Sequence, residues 1–200
     1  MAGPRKRITA LRPAGNGRVA VDLDGARWRV VPLESAVRAG LVTGCELDRE
    51  TARRLRRELR RLAARSAVLG ALRYRDHSAA SLRTHLERRG IASTEREEAV
   101  AAAERTGLID DARFATGRAA VLSARGAGDL LIAHDLRQRG VGTAVVQAAL
   151  AALEPEAQRA ARIVAEHGLT AQTLRRLAAK GFSEEALSAL VADVPDGAVG

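Results

Sequence analysis

Two adjacent aspartates, Asp110 and Asp111, stand in the stretch GLIDDARFA at residues 107–115, beside Arg113 and Phe114. Carboxylates in such company could hold a divalent cation or move a proton, roles that would favour reading the chain as an enzyme. Adjacent residues on a helix do not face each other, so the pair is poor geometry for shared chemistry. The pair lies between the Gly107–Leu108 step and an apolar run of Phe114, Ala115, Ala119, Val121 and Leu122. That is where a carboxylate accepts hydrogen bonds from the unpaired N–H groups of a new helix. The spacing predicts a helix start, capped by one of the two aspartates, with Phe114 buried between two helical units.

No other constellation supplies chemistry. His77, His85, His134 and His167 are scattered and are expected as partly exposed surface residues, and Cys45 is the single cysteine. A lone cysteine allows neither an internal disulfide nor a thiolate zinc cluster, which suits a reducing compartment. Phosphate-binding, nucleophile-elbow, zincin and CxxC motifs are missing. The expectation is a protein with no catalytic residue, no metal and no cofactor.

The elements that carry these residues follow from periodicity. RVAVDLDGARWRVV alternates Val19, Val21 and Leu23 with polar residues, reaches Asp24–Gly25, then alternates Trp28 and Val30. Asp-Gly between alternating runs predicts a β-hairpin. LESAVRAGL and DRETARRLRRELRRLAARS read as helices that support it. Beyond residue 66, LRTHLERRGI (82–91), IAHDLRQRGV (132–141) and TLRRLAAKGF (173–182) share one frame. An apolar or β-branched residue is followed four later by leucine and four later again by glycine.

Glycines at 90, 107, 140, 168 and 181 each precede an apolar residue, the pattern of a helix closed in the left-handed region. Ser78, Thr94 with Glu97, Thr170 and Ser183 mark helix starts. The fold class expected is mainly α. Three tandem three-helix, helix-turn-helix-like repeats (67–109, 110–154 and 155–196) form an elongated array behind an N-terminal β-hairpin and basic helix at 1–66.

Charge divides the chain at the same place. The net charge is +9, with 33 basic residues of which only Lys6 and Lys180 are lysine. With so much alanine and glycine, the arginine preference reads as genomic GC bias, not as selection for bidentate phosphate contacts. Residues 1–66 carry the whole excess, and residues 67–200 are neutral. On a helical wheel Ala52, Leu55, Leu59, Leu62 and Ala63 form one face and Arg49, Arg53, Arg56, Arg57, Arg60 and Arg61 spread over the opposite one. This face is either simply solvated or a contact for a polyanion, DNA phosphate or acidic protein. The candidate partner- or polyanion-binding residues are these six arginines with Arg83, Arg89, Arg113 and Arg139 of the repeats. The basic residue before each repeat glycine (Arg89, Arg139, Lys180) also suits the helix dipole. Only four aromatics occur, too few for a platform that stacks successive bases. The start, MAGPRKRITALRP, has no apolar core, and no stretch approaches the length of a membrane helix. A soluble cytoplasmic chain without membrane contact is expected.

HSAASLRTHLERRGI, GLIDDARFA and GDLLIAHDLRQRGV resemble, in this order, the motifs of the RecX family, bacterial regulators of the recombinase RecA. The third repeat and ITALRP…VAVDLDG are similar in kind. Two positions depart from the family: His77 stands where arginine is common, and Asp129–Leu130 replaces a more basic or proline-containing stretch. The resemblance implies a helical modular protein that lodges on RecA filaments assembled on single-stranded DNA. It would suppress recombinase and ATPase activity there, and so regulate DNA repair, with weak direct DNA contact and a monomeric chain. The alternative is a helix-turn-helix DNA-binding protein or transcriptional regulator. The stretches after the repeat glycines begin TEREEAV, TAVVQAA and SEEALSA, acidic or apolar where a base-reading helix would be basic or amide-rich.

Overall fold

The structure is a computed structural model that describes residues 6–192. β2 (Arg18–Leu23) and β3 (Ala26–Pro32) form the expected antiparallel hairpin. Asp24 and Gly25 both take positive φ, 52° and 86°, as a two-residue type I′ turn demands. The hairpin is part of a larger sheet. β1 (Lys6–Pro13) pairs with β2, and the two-residue β4 (Glu46–Leu47) completes a four-stranded antiparallel order β3-β2-β1-β4. β1 carries little alternation, because Ile8 is its one fully buried residue.

The register departs from simple alternation as well. Val21 pairs with Arg29 but Asp22 pairs with Arg27, so Trp28 is the extra residue of a bulge. Trp28 stays 39% exposed, and Val31 fills the core in its place.

One face of the sheet is covered by α1 (Leu33–Arg38) and the first half of α2 (Arg49–Leu72). Ile8, Val19, Val21, Leu23 and Val31 meet Ala36, Ala39, Leu41 and Leu55 in one core, with Leu59 against it. α2 starts on Asp48, whose carboxylate accepts from the Thr51 N–H at 2.7 Å. The helix runs unbroken through residue 66, where the charge changes. Past Leu59 its buried positions become Ala64, Val68 and Ala71, so Leu62 is only half-buried and Ala63 exposed.

Eight shorter helices follow among the described residues. They are α3 (Ala79–Arg88), α4 (Ser93–Arg105), α5 (Asp111–Ala124), α6 (Asp129–Gln138), α7 (Thr143–Ala151), α8 (Glu156–His167), α9 (Ala171–Ala179) and α10 (Glu184–Ala192). Packing separates two compact units: the described residues up to Arg73 with His85–Ala101, and Tyr74–Thr84 with Ala102 onward. In the second unit, α5, α6 and α7 share a core of Ala115, Ala119, Ile132, Leu136 and Val146. α8, α9 and α10 share another, built on Ala160, Leu177 and Phe182. Phe114 is half-buried against the α5–α7 core, less enclosed than its sequence context predicts; the fully buried phenylalanine is Phe182, 3% exposed.

The helix stops follow the predicted pattern at four of five glycines. After residues 90, 107, 140 and 181, the next N–H bonds back to the carbonyl five residues earlier. Gly168 differs, since its own N–H bonds to the Val164 carbonyl and Leu169 does not turn back. Thr170 and Ser183 cap as expected, accepting from Thr173 and Ala186. α4 begins at Ser93, so Thr94 lies inside the first turn and is not its cap.

Two glycines give opposite expectations. A Cβ on Gly128 would sit 2.2 Å from the Phe182 amide nitrogen and 2.3 Å from the Gly181 carbonyl carbon, both backbone atoms. Gly128→Ala should cost about 1–3 kcal/mol or more. Gly117, inside α5, has nothing within 4 Å of that position. Gly117→Ala should stabilise by about 0.5–1 kcal/mol through helix propensity. Urea unfolding of the two variants checks both signs.

Candidate partner and polyanion interface

Asp110 and Asp111 cap two different helices. Asp110 precedes α5 and accepts from the N–H groups of Ala112 and Arg113 at 2.9 and 3.0 Å. Those N–H groups, Arg113's first, hold its carboxyl below the ordinary carboxylate value. Asp111 turns away and accepts from the Ala79 N–H at 2.8 Å, the first amide of α3. Sequence reasoning assigned one cap and missed the second, because Ala79 lies 32 residues away.

That second bond belongs to a joint that the chain builds twice. At the first, Ser78 accepts from the Ser81 N–H and donates its hydroxyl to the Arg139 carbonyl. Ala80 lies directly over Gly140. At the second, the Gly128 N–H donates to the Lys180 carbonyl at 2.9 Å, and the Leu130 N–H donates to Gly181 at 3.0 Å. Here Leu131 lies over Gly181. Glu156, the first residue of α8, accepts from the Asp129 N–H at 2.6 Å, as Asp111 does from Ala79. In both joints an acid that opens one helical triplet caps the second helix of the triplet before it, and a basic–Gly turn closes over that helix start.

Charged side chains reinforce the second joint. Arg159 is 5% exposed and donates to the carbonyls of Ala127 and Glu154, pairs with Asp129, and lies 5.8 Å from the Phe182 ring centre. Burial raises the Asp129 carboxyl above its ordinary value, Arg159 opposes this and Glu156 adds to it. Asp135 binds Arg118 and Arg139, both at distances near 2.9 Å, and the Arg118 hydrogen bond is the chief cause that holds its carboxyl far below the usual range. His77 is 4% exposed, a correction to the surface position expected. Its Nε2 accepts from Arg75 and its Nδ1 meets the Ser81 hydroxyl, so a partnered ring replaces a solvated one.

The ten candidate arginines therefore differ in what they already hold. Arg60 donates to Glu95 at 2.6 Å and Arg61 donates to Glu98 and Glu58. The Arg60 hydrogen bond lowers the Glu95 carboxyl. Arg113 donates to the Gly107 carbonyl, Arg139 is paired with Asp135, and Arg83 is half-buried with interactions of its own. Arg49, Arg53, Arg56, Arg57 and Arg89 are exposed and have no ion-pair partner among the described residues. The first four of these fall at i, i+4, i+7 and i+8 of α2, one continuous stripe. Glu95 and Glu98, the counter-charges that decide which arginines remain available, were legible only as a generic acidic helix start.

Among the described residues, no three His, Cys, Asp or Glu side chains converge as a metal site, and no helix is long and apolar enough to cross a membrane. Helical triplets joined in series define a modular protein of the helix-turn-helix repeat class. Residues 110–150 match the RecX family's second three-helix domain. A regulatory protein RecX from Halorhodospira halophila is 36% identical over 104 residues, 52% of this chain and 65% of that protein. A second, from Syntrophotalea carbinolica, is 36% identical over 102 residues, 50% of this chain and 66% of its own length. The matched stretch thus spans just under two thirds of these relatives. A crystal structure of regulatory protein RecX superimposes with a TM-score of 0.78 at 20% identity, covering 94% of this chain and all of that one. RecX from Lactobacillus salivarius gives 0.59 at 16% identity, over 67% of this chain and 96% of that one. The α5–α7 triplet of this chain is thus similar to the RecX family's second domain, and its fold is that of the RecX crystal structures.

Both aspartates should matter for stability. Asp110→Ala and Asp111→Ala are each expected to cost about 0.5–2 kcal/mol in urea unfolding. Asp135 links stability to acid pH. Its folded value lies below the unfolded one, so its contribution is complete above about pH 4 and fades as acid approaches the folded value. Asp135→Asn should be less stable at neutral pH and lose less between about pH 5 and pH 2. An acid slope equal to the wild type would show that Asp135 carries no such linkage.

Proposed function

We propose that this protein is a non-enzymatic cytoplasmic regulator that binds RecA filaments on single-stranded DNA and suppresses recombinase and ATPase activity. The observation that carries this reading is the separation of charge and repeat. Residues 67–200 are neutral overall and their Arg118, Arg139 and Arg159 are held by Asp135 and Asp129, while α2 keeps four arginines in one stripe without an ion-pair partner among the described residues. A neutral repetitive surface gains little from counterion release on naked DNA, but suits a repetitive protein surface, where weak contacts add through effective concentration. The stripe of α2 then supplies a non-specific anchor to phosphate or acidic side chains.

The helix-turn-helix DNA-reader alternative is less well supported. The third helix of each triplet would be its reading helix. α4 opens with Glu95 buried against Arg60, and α10 opens with Glu184 and Glu185. Neither presents a basic or amide-rich N-terminal turn to a groove.

Titration into preformed RecA filaments, following ATP hydrolysis and co-sedimentation, tests the proposal. Inhibition at stoichiometric protein should persist when extra free DNA is added; inhibition relieved by that DNA means DNA competition. Replacing Arg49, Arg53, Arg56 and Arg57 by Gln should reduce the salt slope of DNA binding by up to about 0.9 log unit for each phosphate no longer neutralised. An unchanged slope would make the stripe a solvated face.

A further inference from the structure

The second helix of each triplet ends in a turn of one geometry, and two of these three turns are occupied. After α6, the Gly140 N–H donates to Arg137 at 2.9 Å, the Val141 N–H to Leu136 at 3.1 Å, and φ of Gly140 is 72°. After α9, Gly181 donates to Ala178 at 2.9 Å, Phe182 to Leu177 at 3.1 Å, and φ is 81°. After α3, Gly90 donates to Glu87 at 2.8 Å, Ile91 to Leu86 at 3.1 Å, and φ is 73°. The first two receive a helix N-terminus. A Cβ on Gly140 would lie 2.3 Å from the Ala80 Cβ, and one on Gly181 would lie 2.6 Å from the Leu131 nitrogen. The carbonyls of Arg139 and Lys180 accept from Ser78 and Gly128, the caps of α3 and α6. Over Gly90 nothing lies within 4 Å, and no described donor reaches the Arg89 carbonyl.

We propose that the Arg89–Gly90–Ile91 turn is a docking surface for the N-terminus of a helix of the protein partner. This rests on the reading above, so the occupant is a RecA helix. The chemistry that fits is set by the two internal joints. A Ser, Gly or similar small cap offers a hydroxyl or N–H to the Arg89 carbonyl, and the helix start settles over the bare glycine. The negative C-terminal end of α3 meets the positive N-terminal end of the partner helix. Arg88 and Arg89 are exposed without ion-pair partners among the described residues, so an acidic residue in the partner's first turn adds to the match.

Gly90→Ala tests this, with Gly126→Ala as control. Gly126 has φ 77° and also nothing within 4 Å, so both variants carry the same backbone strain. Only at position 90 does the new methyl occupy the proposed contact. Both should melt equally below the wild type. Gly90→Ala should bind RecA filaments at least tenfold more weakly, and Gly126→Ala should bind as the wild type does. The surface pair Arg88→Glu with Arg89→Glu, which leaves the glycine intact, should also weaken binding. Wild-type affinity in Gly90→Ala, or equal weakening in Gly126→Ala, overturns the inference while leaving the regulator reading in place. Loss of self-association in Gly90→Ala with intact RecA binding identifies a second copy as occupant and also overturns it. A wild-type chain that fails to bind RecA removes the reading and the inference together.

Discussion

The helical part of this protein depends on main chain touching main chain. At Gly128 and Gly181 the two backbones approach so closely that neither position admits a Cβ, and the amides of Gly128 and Leu130 bond across the gap. Side-chain packing over small alanine-rich helices buries little apolar area each, and burial scales with area. Fixed backbone hydrogen bonds, shielded by neighbours such as Phe182, supply the alignment that thin helices cannot obtain from interdigitation alone. The acid that opens each later triplet, Asp111 or Glu156, completes the arrangement by satisfying a helix N–H of the triplet before it.

The same economy explains the charge pattern. Arg159 is buried in the second joint because it bridges carbonyls of Ala127 and Glu154 and the carboxylate of Asp129; a cation with fewer partners would not be stable there. Asp135 holds two arginines at once. These pairs occupy Arg118, Arg139 and Arg159 within the triplets. α2 is different: its outward stripe has too few acids nearby, since Glu50 reaches Arg54 and Glu95 reaches Arg60. The unpartnered arginines of α2 therefore form one stripe, and its electrostatic field is screened by ionic strength.

His77 shows how a polar ring is accommodated in the interior. The imidazole is buried, accepting from Arg75 and meeting the Ser81 hydroxyl. These hydrogen bonds offset the cost of removing its polar ring from water.

The sequence by itself determined the local grammar: the Asp24–Gly25 hairpin, the Schellman-type stops after residues 90, 107, 140 and 181, and the caps at Asp110, Thr170 and Ser183. Each is decided within about six residues by backbone sterics and one hydrogen bond, so neighbours in sequence suffice. The arginine stripe of α2 was legible for the same reason. β1, the bulge at Trp28, the burial of His77 and the half-exposure of Phe114 were decided by tertiary structure, because each depends on what lies opposite. So were the second cap made by Asp111 and the pairing of Arg60 and Arg61 with α4, whose partners lie 32 to 37 residues away. Composition placed those charges on helices, but only the packing of one helix against another decided which of them remain open to a partner.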